Sequence, residues 1–112
     1  MSKSKQKGTN AETAVVKYLK ANGFENVERR ALQGSQDKGD ISGIKNLVIE
    51  VKDHRTMILG QWMEELKVEI KNDGAKTGVV IHKRRGKGDV GEWYASMPVH
   101  IYLQLLKDLG YE

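Results

Sequence analysis

The stretch from Lys38 to His54 constrains this chain more than any other. Its run Leu47-Val48-Ile49-Glu50-Val51-Lys52 is short, rich in β-branched residues and bounded by polar turn residues, so it reads as a buried strand. Strand side chains alternate faces, which places Val48, Glu50, Lys52 and His54 on one face and Leu47, Ile49 and Val51 on the other. Gly43-Ile44-Lys45-Asn46 supplies a turn, and a hairpin centred near Lys45 sets Asp40 directly across from Glu50. In that register the two carboxylates are neighbours at roughly 5 Å, with Lys52 roughly 7 Å further along the strand. Two carboxylates that close repel, so the pair calls for a cation, and a hard divalent ion suits oxygen ligands.

The rest of the chain supplies the setting. Thr9-Asn10-Ala11-Glu12 has the form of a capping box ahead of a helix that Gly23 stops, which leaves residues 1–8 as a flexible basic tail and 9–112 as one domain. Glu12 precedes Val15, Val16 and Leu19 by three, four and seven positions, so it ends the buried stripe. It either caps the helix or faces the same site as Asp40 and Glu50. A first strand is expected over Phe24 to Ala31, then a polar loop over 33–39 that delivers the chain to Asp40.

A helical period returns over 57–72, with Leu59, Trp62, Met63, Leu66 and Ile70 on one stripe. Strands follow at Thr77 to His82 and at Gly91 to Ala95, and Pro98 opens a last helix whose Val99, Tyr102, Leu103, Leu106 and Leu109 are expected to face inward. The expected order is αβββαββα, an α/β (α+β) domain with a central mixed sheet flanked by helices.

Charge is concentrated. The chain carries 19 lysines and arginines against 15 acidic residues. Lys3, Lys5, Lys7, Lys83, Arg84, Arg85 and Lys87 account for seven of the basic ones, so the rest of the body is slightly acidic. Two basic groups on such a body suit a polyanion such as nucleic acid, although solvated basic loops are common. There is no cysteine, hence no disulfide framework or thiolate zinc site. His82 and His100 have no partner at metal-ligand spacing, and no glycine-rich phosphate loop suggests a nucleotide cofactor. No membrane span or signal-peptide core is read, and a cytoplasmic location is expected.

An acidic residue some ten positions before Glu-x-Lys is a degenerate pattern, and a solvated edge strand would also carry one. Its position on a hairpin between helices makes it informative. Glu12 on the first helix, Gly39-Asp40 at a strand start and Glu50-Val51-Lys52 on the next strand together resemble the PD-(D/E)xK nuclease superfamily, and within it the Holliday-junction-resolvase-like branch of archaeal and phage proteins. Gly39 stands where the motif's name has proline.

The resemblance implies a restriction-endonuclease-like core and a Mg²⁺- or Mn²⁺-dependent endonuclease leaving a 5′-phosphate and a 3′-hydroxyl. It implies Asp40, Glu50 and the Val51 carbonyl as metal ligands, Glu12 joining directly or through water, and Lys52 holding the attacking water. It further implies a homodimer acting on a four-way DNA junction. Trp62, Met63, Trp93 and Tyr94 are dimer-surface candidates, although core is the commoner role for such residues. Arg29, Arg30, Lys83, Arg84, Arg85 and Lys87 are candidate phosphate contacts, with Ser35 and Gln36 near the metal. A different nuclease on the same core, or a DNA-binding module without catalysis, are the alternatives.

Overall fold

The computed structural model describes residues 2–31 and 36–111. In order along the chain it contains α1 (Lys3–Ala21), β1 (Glu28–Arg29), β2 (Ile41–Ser42), β3 (Leu47–Lys52), α2 (Leu59–Asp73), β4 (Thr77–His82), a 3-10 turn at Val90–Glu92, β5 (Tyr94–Ser96) and α3 (Val99–Asp108). The five strands form one mixed sheet in the order β1-β2-β3-β4-β5. Neighbours are antiparallel except β3 and β4, which run parallel because α2 carries the chain across between them. This is the α+β class with flanking helices that the alternation of periods predicts.

β3 is the central strand, and the alternation of its side chains divides the core in two. Ile49 and Val51 pack with Ala11 and Val15 of α1, whereas Val48 packs with Trp62 and Leu66 of α2 and Val80 of β4. Glu50 and Lys52 share the parity of Val48 and so point toward α2. The β2–β3 hairpin pairs Ile41 with Ile49, which sets Asp40, one residue outside that pair, beside Glu50. The Asp40 N–H donates to the Ile49 carbonyl and its own carbonyl accepts from the Arg30 N–H, both at 2.8 Å.

Three boundaries differ from the sequence reading. α1 begins at Lys3, with the Ser2 hydroxyl accepting from the Lys5 N–H, so the stretch expected as a tail is helix from residue 3. Glu12 therefore sits in the third turn, where it satisfies no cap. β1 is two residues long, not eight, and Phe24 is exposed. The returning strand starts at Tyr94, because residues 90–92 form the 3-10 turn, anchored by the Asp89 carboxylate accepting from the Gly91 N–H.

The last correction concerns α3. Ile101 is its buried residue, while Val99, Tyr102, Leu103 and Leu109 are exposed. Apolar residues surround this helix, so their periodicity does not reveal which stripe faces the sheet. Trp62 and Trp93 are buried core residues rather than dimer surface, and Met63 is half-buried, while Tyr94 is exposed. Among the described residues, no helix is long and apolar enough to cross a membrane.

Candidate metal centre

The hairpin backbone brings the site together. The Val51 N–H donates to Asp40 Oδ2 at 2.8 Å, which locks the Asp40 carboxylate over β3. Gly39 makes this approach possible. Its φ of +96° belongs to the left-handed region, and a Cβ there would lie 2.8 Å from Val48 Cγ1. Proline, fixed near φ −65°, cannot occupy this position.

Lys52 Nζ lies 3.4 Å from Glu50 Oε2 and 3.1 Å from Glu65 Oε1 on α2. Burial pulls the Lys52 ammonium pKa down, but Glu50 and Glu65 outweigh it and the net direction is up, so Lys52 is charged. Gln61, one turn before Glu65, donates to Glu65 Oε2 at 3.4 Å and extends this polar line along the helix.

Two further carboxylates belong to the group. Glu69, one turn beyond Glu65 on α2, is buried, and Asp37 approaches from the loop before Gly39. Ligand oxygens of Asp37, Glu50 and Glu69 all lie within 4.8 Å of one another, a set able to hold a metal ion. The Asp37 carboxylate accepts from the Gly39 N–H at 2.9 Å, and its carbonyl accepts from Asn72 Nδ2 at 2.9 Å, which fastens the loop to α2.

The electrostatics of this cluster are unfavourable for protein alone. Burial, and then the neighbouring Asp40 charge, push Glu50 up to about 10. Burial and then Asp37 push Glu69 up to about 8. Oε1 of Glu50 and Oε1 of Glu69 are buried without a hydrogen-bond partner. Leaving such oxygens unpaired costs about 1–3 kcal/mol each, and more when charged. An all-oxygen donor set with orphaned buried carboxylate oxygens fits a hard divalent cation.

Glu12 stands apart. Its Oε1 accepts from Arg29 Nε at 3.0 Å. Burial and then Asp40 raise its pKa, and Arg29 opposes both, so Glu12 is an outer neighbour of Asp40 already holding a partner. Arg30 pairs with Asp73 at 3.5 Å. Gln36 is exposed, and Ser35 lies outside the described residues.

Lys83 begins the basic β4–β5 connection directly at the site's edge, its N–H donating to the Lys52 carbonyl at 2.9 Å. Lys83 and Arg84 lie over the rings of Trp93 and Tyr94 at 5.8 and 5.9 Å, and Arg85 is exposed. Lys87 is half-buried, its carbonyl accepting from Trp93 Nε1. A cleft of about 380 Å³ separates this connection from the first turns of α1, lined among others by Lys3, Lys7, Asp53, Lys83 and Trp93. The helical start of α1 thus brings the two basic groups of the sequence to one place.

Sequence reasoning missed Asp37 and Glu69. Asp37 carries no signal within a polar loop. Glu69 had one: it stands seven residues after Trp62 and three after Leu66, on the buried stripe of α2, where a carboxylate is out of place without a partner. Comparison of the chain with protein-family models, curated proteins and solved structures finds no match.

Proposed function

We propose that this protein is a divalent-metal-dependent DNA endonuclease of the PD-(D/E)xK kind. The observation that carries the reading is the meeting of Asp40, Glu50 and Lys52 at one point of the β2–β3 hairpin, with a buried Glu50 oxygen left unpaired. Asp40 and Glu50, with the Val51 carbonyl, would hold Mg²⁺ or Mn²⁺. Such an ion, when bound, acidifies a water and neutralises charge on a phosphoryl oxygen.

The chain's own groups do the rest. Lys52, held between Glu50 and Glu65, aims a charged ammonium where a water and a phosphate oxygen would meet, orienting the one and offsetting charge on the other. Water oxygen bonds to phosphorus as the bond from phosphorus to O3′ breaks. The water's proton passes to solvent and the leaving oxygen gains one, giving a 5′-phosphate and a 3′-hydroxyl. Lys83, Arg84, Arg85 and Lys87, with Lys3 and Lys7 across the cleft, contact phosphates without reading sequence.

Within this class we favour a structure-selective resolvase of four-way DNA junctions, acting as a homodimer inside the cell, on the pattern of Glu12, Asp40 and Glu50-x-Lys52. The exposed apolar side chains of α3 supply a surface that a second copy would bury. The test is cleavage of four-way junction, duplex and single-stranded DNA with Mg²⁺ or chelator, beside Asp40→Asn. Paired symmetric nicks confined to the junction support resolution. Equal cutting of duplex moves the protein to another nuclease on this core, and chelator-insensitive cutting overturns the metal site.

A further inference from the structure

We infer that Asp37 and Glu69, sharing Glu50, form a second divalent-cation site on the α2 side of β3. It rests on the nuclease reading only in that Glu50 would also serve the first cation.

The geometry is that of a built site. Glu50 and Glu69 are 6% and 2% exposed, each carries a buried Oε1 without a hydrogen-bond partner, and each turns a carboxylate oxygen into the cluster. One carboxylate oxygen from each of the three residues lies within 4.8 Å of those from the other two. That limit is about twice a Ca²⁺–oxygen distance of roughly 2.3–2.6 Å, so a single hard cation can reach all three. Asn72 and the Gly39 N–H fix Asp37 in place. Glu65 and Glu69, one turn apart on α2, then divide the labour: the first holds Lys52 and the second faces the cation.

Charge sets the number of ions. Asp37, Asp40, Glu50, Glu65 and Glu69 converge here, and among the described residues Lys52 is the cation paired with any of them. With all five carboxylates ionised, as cation binding requires of the ligands, one ammonium leaves four negative charges. One divalent ion halves this, and two bring it to zero. A second ion also joins three separate segments, the loop before Gly39, β3 and α2.

Mn²⁺ binding to the full chain, followed by electron paramagnetic resonance and calorimetry without DNA, tests the inference. Two ions per chain are expected, falling to one in Asp37→Asn and in Glu69→Gln, with the lost site weakened at least ~10-fold. Asp37 is exposed, so its variant keeps the fold even if the Glu69 variant does not. A single ion in the native chain, or two ions retained in Asp37→Asn and Glu69→Gln alike, would overturn the second site and leave Glu69 a buried protonated acid. Two ions lost one at a time, with no DNA cut under any condition, would sustain the site while removing the nuclease reading.

Discussion

The two faces of the sheet treat buried acid in opposite ways. On the α1 face, Glu12 has an arginine at 3.0 Å, and the strand residues beneath it are apolar. On the α2 face, Glu50 and Glu69 are more deeply buried, crowd against Asp37 and Asp40, and leave two oxygens without partners. The α1 face is electrostatically complete as protein, whereas the α2 face is complete only with added positive charge. A fold that spends its buried positions this way is less stable for it, and such sites are where function is found.

If the faces differ in this way, the largest effects belong to the α2 side. Asp40→Asn and Lys52→Ala should each lower DNA cleavage by about 10³-fold or more, the scale of removing one preorganised charge from a reacting centre. The melting temperature of Asp40→Asn should remain close to the native value or rise, since it relieves crowding, whereas Lys52→Ala strips buried Glu50 of its cation and should lower that of the metal-free chain. A loss of cleavage that tracks unfolding would remove the distinction between a functional and a structural cluster.

Metal-free stability should show the same asymmetry through pH. Glu50 and Glu69 have raised values of about 10 and about 8 against an ordinary 4.5, so the folded chain retains protons that the unfolded chain releases. Stability from this source is fully present below about pH 4.5 and declines as pH rises toward those raised values, by ~1.4 kcal/mol per retained proton per pH unit. Unfolding of the chelated protein should therefore become easier from pH 5 to pH 8. Mg²⁺ should restore more at pH 8 than at pH 5, and Glu50→Gln should flatten the profile. A flat profile in the native chain would place the α2 carboxylates in water instead.

The asymmetry was half legible in the sequence. Asp40, Glu50 and Lys52 lie on a hairpin whose period and turn are local properties, so their proximity follows from counting residues. Glu69 belongs to a different kind of contact, helix against strand, and nothing in a local window says which strand faces which turn of α2. The start of α1 was hidden because Lys3 to Asn10 has no apolar period, and its helix is held by the Ser2 cap and by continuation from residues 11–21. α3 failed for the opposite reason, too many apolar residues, with Ile101 buried while Val99 and Leu109 are 73% exposed.

A smaller effect probes the junction of the two faces. Glu12 feels Asp40 across the sheet edge yet is held by Arg29. As an outer neighbour acting through water, its change to Gln should lower cleavage by about 10-fold, within the range seen when groups behind a metal ligand are removed. A loss as deep as that of Asp40→Asn would mean that Glu12 swings onto the metal, and the two faces would then form one site.

The smallest effect is the most direct attempt to make one face resemble the other. Arg29→Met removes the partner of Glu12 while keeping a chain of similar reach. Arg29 is partly exposed, so the pair contributes no more than ~1 kcal/mol. Without it, burial and Asp40 act on Glu12 unopposed. The metal-free variant should lose up to that amount at pH 8 and less as the pH falls, since burial and Asp40 both favour the protonated form of Glu12. Added Mg²⁺ should recover part of the loss at pH 8, because a cation beside Asp40 would answer both carboxylates. Recovery by Mg²⁺ in Arg29→Met, set against its absence in an Arg29→Met, Asp40→Asn double variant, would show that the arginine stands where the α2 face leaves room for an ion.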